Sequence, residues 1–174
     1  MAIPVAKSMG LNVITNGSVG NKERVMRLGA DRFIDYKSED YSKVLSEVDY
    51  VLDTLGVREL EKEFSILKSG GSLVSLRGLP NGEFAARTGL PPIKRLLFSL
   101  AGSKYDRMAA KNKQKYYFVF VREDGAGLKR ILEMFGNRRI VTSVDEIFEL
   151  SEVNGALAKV AGGGSKGKTI LKIS

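Results

Sequence analysis

Leu28-Gly29-Ala30-Asp31, then Ile34-Asp35-Tyr36, then Val48-Asp49-Tyr50-Val51-Leu52-Asp53-Thr54-Leu55-Gly56 form the stretch whose reading decides the fold. Each piece is spaced as a helix end followed by a short apolar strand. Gly29 suits the left-handed position that closes a helix. Asp49 to Leu55 is an almost continuous apolar run ended by Gly56, the composition expected of a strand covered by helices on both faces.

The same alternation extends outward in both directions. Upstream, Ala2 to Met9 carries a short helical pattern, Leu11 to Thr15 is a β-branched run bounded by Asn16-Gly17-Ser18, and Asn21 is placed to cap a helix that turns Val25, Met26 and Leu28 inward. Arg32 to Asp35 makes a second short strand, and Tyr41 to Leu45 a turn or two of helix. Downstream, Leu60, Phe64 and Leu67 recur at helical spacing, Gly70-Gly71 are placed to stop that helix, and Ser72 to Leu76 supplies a fourth strand. The order α-β-α-β-α-β-α-β with short connections predicts a Rossmann-like, doubly wound parallel α/β sheet with helices on both faces and right-handed crossovers.

After Gly78 the texture changes. Leu79-Pro80-Asn81-Gly82 is turn chemistry, and the residues from Pro92 to Lys115 favour two basic amphipathic helices broken near Gly102-Ser103, a helical insertion over about 79–115. Tyr116 to Val121 reads as an aromatic, β-branched strand. Leu128, Ile131, Leu132 and Phe135 mark a helix stopped at Gly136, Ile147-Phe148 begins an extended piece, Ser151 caps a last helix through Val160, and a glycine-rich link, Gly162 to Gly167, leads into a strand over Thr169 to Ile173. One domain over 1–174 is expected, with no internal repeat.

Composition narrows the chemistry. The 174 residues are 43% hydrophobic and 8% aromatic, enough for a real core. There is no Cys and no His, so disulfides, thiolate chemistry and the usual zinc ligands are excluded, and a zinc ion would need carboxylates alone. No apolar run approaches the roughly 20 residues of a membrane span, and no signal-peptide pattern follows Met1. A cytoplasmic protein with no membrane partner is the expectation. The net charge of +8 is concentrated between Pro91 and Lys115, where Lys94, Arg95, Lys104, Arg107, Lys111, Lys113 and Lys115 face only Asp106. Such a run is ordinarily a solvated helical face, with a phosphate-rich ligand or an acidic partner as the alternative.

Leu28-Gly29-Ala30-Asp31 with Asp35-Tyr36, Asp53-Thr54-Leu55-Gly56, Gly70-Gly71-Ser72-Leu73-Val74-Ser75 and Lys166-Gly167-Lys168-Thr169-Ile170-Leu171 together resemble the cofactor half of the medium-chain dehydrogenase/reductase superfamily. The similarity runs nearly end to end and is nearest to NADP-dependent quinone oxidoreductases and zinc-type alcohol dehydrogenase-like proteins. It implies a GroES-like catalytic domain and a first strand with a Gly-rich turn upstream. Residues resembling Ala2-Ile3-Pro4-Val5-Ala6-Lys7 follow that turn in the family, so the sequence is expected to lack the first strand and its loop. That strand is central in the usual order, which leaves its two neighbours to close up, splay or recruit another strand. By itself such a portion is expected to be inactive.

The site residues follow in part from chemistry and in part from the resemblance. A Rossmann domain selecting NAD ends its second strand with a carboxylate for the ribose 2'-hydroxyl, whereas NADP requires that carboxylate absent and cations near. Here the strand ends Thr15-Asn16-Gly17-Ser18, with Lys22 and Arg24 behind it, and Lys22 matches the position from which the resembling reductases contact the 2'-phosphate. The alternative is that Lys22 and Arg24 are surface residues of an ordinary helix. The resemblance puts Tyr36 near the adenosine phosphate, where it is otherwise a half-buried strand-end aromatic. Asp53 and Thr54 sit at a strand's carboxyl end and could border the adenine, though a structural cap is the blander account of Asp53. Ser75, Arg77 and Gly78 occupy the next strand end and would face the nicotinamide, with Phe118 and Phe120 beside it unless that strand is simply core. No residue is assigned a catalytic step.

The resemblance further implies homodimerisation through an outer strand, for which Tyr116 to Val121 is the candidate, and a terminal strand that is frayed or unusually paired. The intact protein is then an NADPH-dependent oxidoreductase of quinone, enone or related carbonyl compounds. A basic nucleic-acid-binding module is the alternative, ranked low because it lacks a stacking platform or recognition helix. A methyltransferase ranks lower still, since its opening glycine-rich motif is absent, and the late Gly-Lys-Thr lacks the spaced glycine of a P-loop.

Overall fold

The structure, a computed structural model, describes residues 2–136 and 144–173. In chain order the elements are α1 (Ala2–Ser8), β1 (Ile14–Gly17), α2 (Lys22–Arg27), β2 (Arg32–Asp35), α3 (Tyr41–Val44), β3 (Val48–Asp53), α4 (Leu60–Ile66), β4 (Leu67–Ser75), α5 (Gly82–Arg87), α6 (Pro92–Lys111), β5 (Lys115–Phe118), α7 (Gly125–Phe135), β6 (Val144–Glu149), α8 (Val153–Gly162) and β7 (Lys168–Lys172). Every strand pairing is parallel, and helices alternate with strands, as the sequence order predicts. The ladder is not one continuous sheet. β1-β2, β3-β4-β5 and β6-β7 are separate sheets. The described residues fall into two compact units, one within Met1–Asp35 and Asp124–Ser174 and the other within Tyr36–Glu123.

In the first unit, Lys7 fixes the entry to the sheet. Its Nζ donates to both carboxylate oxygens of Asp31, at 2.9 and 2.8 Å, and to the Leu11 carbonyl at 3.1 Å, while Asp31 also accepts from the Val13 N–H at 2.7 Å. The Lys7 bond, followed by the Val13 N–H, holds the Asp31 carboxyl below its ordinary range. Gly29 has φ +100 and lies against the Lys7 stem, so the helix-ending turn predicted there is present. Asn21 does not cap α2. A 3-10 turn over Val19–Asn21 runs directly into the helix, leaving Asn21 with helical torsions and its side chain bonded to Ser18 and Arg24 instead. Nor does Ser151 cap α8. Another 3-10 turn, Leu150–Glu152, intervenes, and the reciprocal capping box is made by Glu149 and Glu152. The terminal strand is not frayed, because β7 pairs in parallel with β6 from Val144↔Lys168 to Glu149↔Lys172.

The second unit is organised around β4. Leu60, Phe64, Leu67, Leu73, Tyr105, Ala109, Tyr116 and Phe118 form its buried cluster, joining α4 and α6 to one face of β4-β5. Burying each large apolar side chain contributes about 1.5–3 kcal/mol, so this cluster holds the strand ends in place. Gly70 and Gly71 do not stop α4. The helix ends at Ile66, and both glycines lie inside β4, where the register jumps from Val48↔Leu67 to Tyr50↔Ser72 and Gly70 takes φ +79 to absorb the extra residues. β3 is not covered evenly either: Val51 packs on the core cluster, whereas Tyr50 and Leu52 on the opposite face are exposed.

The expected break near Gly102-Ser103 is absent, and α6 is one helix from Pro92 to Lys111. A Cβ at residue 102 would lie 2.4 Å from Asn81 Cβ and 2.7 Å from Asn81 Cα. Gly102 is therefore the contact that lets α6 cross the start of α5, whose first turn Asn81 caps by accepting from Phe84 N–H at 3.0 Å. β5 is also shorter than expected, ending at Phe118, so that Phe120 and Val121 lie beyond it.

Candidate functional site

Asp53, Ser75 and Phe118 are register partners across β3, β4 and β5, so three neighbouring parallel strands end at one level. Ligands of open α/β sheets bind outside such carboxyl ends. Asp53 and Ser75 are fully buried. The Ser75 hydroxyl donates to Asp53 Oδ2 in a very short contact, and Asp53 Oδ1 accepts from the N–H groups of Leu55 at 2.6 Å and Gly56 at 2.8 Å. Ser75 Oγ in turn accepts from Gly78 N–H at 2.6 Å and Arg77 N–H at 3.3 Å. One carboxylate and one hydroxyl thus close both turns that leave the sheet.

Glycine makes the two turns fit together. Gly56 has φ +93, and a Cβ there would lie 2.9 Å from the Arg77 carbonyl oxygen. A Cβ at Gly78 would lie 2.2 Å from the Tyr116 hydroxyl and 2.7 Å from Ser75 Oγ. Tyr116 donates that hydroxyl to the Leu79 carbonyl at 2.9 Å, and burial pushes its pKa up to about 12. Beneath the turns, Glu63 of α4 is buried near Asp53. Burial first, then the Asp53 and Glu59 charges and hydrogen bonding with Asp53, push its carboxyl up to about 8, so it holds a proton at neutral pH. Its Oε2 has no hydrogen-bond partner among the described residues. Nearby, the Tyr41 hydroxyl donates to Glu59 at 3.0 Å and is raised far above its ordinary range, chiefly by burial.

The sequence-predicted residues therefore separate into layers. Asp53 and Ser75 are internal supports, and Phe118 packs edge-to-face on Phe84 with centroids 5.1 Å apart. Thr54 and Arg77 are exposed at the rim, Gly78 is half-buried, and Phe120 is 70% exposed in a shallow pocket with Phe84, Arg87, Thr88 and Arg122. Tyr36, just past β2, is exposed. In the other unit, Ser18 precedes the 3-10 turn before α2 and accepts from Asn21 Nδ2 at 3.3 Å, while Lys22 is exposed at the start of the helix. Arg24 donates through Nη1 to the Lys166 carbonyl at 2.7 Å and through Nη2 to Asn21 Oδ1 at 3.2 Å, and its buried Nε has no partner among the described residues. A hydroxyl, an ammonium and a guanidinium thus lie on this one segment.

A family model described as zinc-binding dehydrogenase matches residues 28–171. The chain belongs to the zinc-binding dehydrogenase family. It is 31% identical over 181 residues to the mitochondrial NAD(P)H oxidoreductase RTN4IP1 of Danio rerio, covering 99% of this chain and 45% of that protein. Against the Homo sapiens protein of the same name the identity is 30% over 177 residues, covering 99% and 44%. The chain spans about half the length of the curated relatives it matches. Among solved structures it is similar to the quinone oxidoreductase of Coxiella burnetii, with TM-score 0.76 and 24% identity over 99% of this chain and 48% of that one. The quinone oxidoreductase of Thermus thermophilus, solved also with NADPH, gives TM-score 0.68 and 22% identity over 99% and 52%. These likenesses show a Rossmann-like α/β fold.

The metal in the family's name does not fit this zinc-binding dehydrogenase chain. With neither Cys nor His, and no cluster of three potential ligands among the described residues, it offers no zinc site. Sequence reasoning passed over Glu63 and gave Tyr116 and Gly102 other parts, a dimer edge and a helix break. Glu63 had a legible signal, since Leu60, Glu63, Phe64 and Leu67 follow i, i+3, i+4, i+7 spacing and put one carboxyl on the buried stripe of α4. Gly102 had none, because its meaning lies in a partner about 20 residues away.

Proposed function

We propose that this chain is the cofactor-binding portion of an NADPH-dependent oxidoreductase acting on quinone, enone or carbonyl compounds. The observation that carries the reading is the level ending of β3, β4 and β5 at Asp53, Ser75 and Phe118, with their turns locked by the Asp53–Ser75 pair. In this reading Thr54, Arg77, Gly78 and Phe120 at the rim meet the dinucleotide, and Asp53, Ser75 and Phe118 hold the strand ends that present them. On the other unit Ser18 and Lys22 take the 2'-phosphate, supported by Arg24, and no carboxylate closes β1 to favour NAD. Tyr36 lies against the adenosine side. The bound dinucleotide would supply the hydride chemistry. The chain's own residues bind and orient it, and none moves a proton. Substrate positioning falls to the rest of the protein, so this chain by itself is expected not to turn over.

Calorimetric titration with NADPH and NADH tests the reading. NADPH is expected to bind more tightly, and Lys22→Glu is expected to weaken NADPH about tenfold or more while leaving NADH nearly unchanged. Tight NADH binding with no preference for the phosphate would sink it. Homodimerisation belongs to the same proposal, since β5 is an edge of its sheet, and sedimentation equilibrium checks it. A cytoplasmic location is likewise proposed and is read by fractionation, four relatives carrying a mitochondrial designation.

A further inference from the structure

Away from the strand ends, α6 carries apolar side chains on two opposite sides. In its C-terminal half Gly102, Tyr105 and Ala109 are buried against the core. In its N-terminal half Ile93, Leu96, Leu97 and Leu100 point the other way, leaving 76%, 62%, 59% and 65% of their surface exposed. Their spacing is i, i+3, i+4, i+7, so they form one stripe. At about 100° per residue, Lys104, Arg107 and Lys111 continue that outward line along the helix; all three are exposed, but Lys104 is ion-paired to Glu61 at 2.6 Å, which leaves Arg107 and Lys111 as the cations of the line without a carboxylate partner among the described residues. Asp106, the sole acid of the helix, lies off the line and accepts from Asn81 Nδ2 at 2.6 Å. Inward contacts of the N-terminal half are made by other residues, with Phe98 edge-to-face on Phe84 at 6.0 Å and Ser99 against Gly82. The outward stripe is therefore not a core face.

We propose that the outward face of α6 docks on an anionic lipid surface, with Ile93, Leu96, Leu97 and Leu100 entering the headgroup–acyl boundary and Arg107 and Lys111 meeting the lipid phosphates. A helix docked on a membrane surface needs exposed aliphatics with cations next to them, not a membrane-spanning length. No helix among the described residues is long and apolar enough to cross a membrane, and a surface-lying one requires none. Charge complementarity selects this occupant. Contact between two copies of the face would be isologous and would leave its cations without an opposing charge. Four aliphatics also present on the order of 400 Å², short of the ~800 Å² per partner of a standard protein interface. A nucleic acid would use the cations and leave the aliphatics in water.

Vesicle co-sedimentation of the full chain tests this, with phosphatidylcholine alone against roughly 3:1 phosphatidylcholine:phosphatidylserine. The chain is expected to pellet with the serine-containing vesicles and stay in solution with the neutral ones. It has no Trp, so Leu97→Trp supplies a single reporter whose emission should shift to the blue on the anionic vesicles only. Leu96→Glu, at an exposed position and so expected to leave the melting temperature unchanged, is expected to lower binding at least about tenfold. Failure to bind anionic vesicles, equal binding to neutral ones, or an unaffected Leu96→Glu variant would overturn the proposal. A concentration-dependent dimer dissociated by Leu96→Glu would also overturn it, giving the face to a second copy.

Discussion

Replacing Gly78 by Ala puts a methyl group between the two strand-end turns. Its carbon would sit 2.2 Å from the Tyr116 hydroxyl and 2.7 Å from Ser75 Oγ, around an ångström inside the ~3.5 Å at which such atoms touch. The hydroxyl cannot swing aside, because Tyr116 is buried with its ring 6.1 Å from Phe64 and 5.6 Å from Tyr105. Overpacking of this kind costs about 1–3 kcal/mol, and loss of the Tyr116–Leu79 hydrogen bond adds about 1 kcal/mol. The expected destabilisation is ~2–4 kcal/mol, a fall in Tm of roughly 5–15 °C for a chain of this size. Tyr116→Phe alone removes the same hydrogen bond at about 1 kcal/mol, but it also removes the nearer clash. The double variant should therefore be more stable than the sum of the singles predicts, by ~1–2 kcal/mol, with the Ser75 contact keeping it below the parent. Urea unfolding of the four proteins, followed by circular dichroism, closes the cycle. Additivity within about 0.5 kcal/mol would refute the packing of Gly78 against Tyr116.

Two further substitutions probe the supports of the site. Glu63, raised from 4.5 to about 8, keeps its proton in the folded chain where the unfolded chain has lost it, so its contribution is full below pH 4.5 and is lost as pH rises through 8. Stability should fall across that window by up to ~1.4 kcal/mol per pH unit; Glu63→Gln should flatten the fall and be the more stable form near about pH 9, and urea midpoints with the parent's slope would count against the buried proton. Gly102→Ala sets helix propensity, a gain of about 1 kcal/mol, against a Cβ 2.4 Å from Asn81 Cβ and 3.0 Å from the Pro80 carbonyl; the clash should win by ~1–3 kcal/mol. Gly125→Ala, which meets nothing within 4 Å, should instead be neutral or stabilising, and thermal melts of the pair decide whether the Gly102 contact is real.

Much of the parallel α/β pattern was legible because it rests on local signals. Gly29 and Gly56 end their elements with positive φ, and the Asp49–Leu55 run is the strand β3, within a residue or two at each end. Asp53 shows where local reading stops. Its position at a strand's carboxyl end is visible in the sequence, but its burial and its bonds to Ser75, Leu55 and Gly56 depend on the register of β3 with β4. The glycine pair at Gly70-Gly71 misleads for a related reason: glycine marks both helix ends and strand bulges, and only the paired strand distinguishes them. Tyr116 and Phe118 were read within one strand, and the identity of what they pack on, Phe64 of α4, Tyr105 of α6 and Phe84 of α5, is set by tertiary packing rather than by local pattern.

The same limit accounts for α6, and there it carries function. A periodicity argument assumes that one helix has one apolar side. In α6 Ile93, Leu96, Leu97 and Leu100 face outward while Phe98, Tyr105 and Ala109 face inward, so no single apolar stripe runs the length of the helix and Gly102-Ser103 reads as a break. A backbone break would have cost several hydrogen bonds of the helix, whereas a change of face costs only exposure of the outward side chains. Burying each of those four aliphatics would contribute about 1.5–3 kcal/mol, so leaving them in water is a sustained disadvantage to the isolated chain. That disadvantage is offset if the face has a partner, and Arg107 and Lys111 beyond it supply the sign of charge that the partner must oppose.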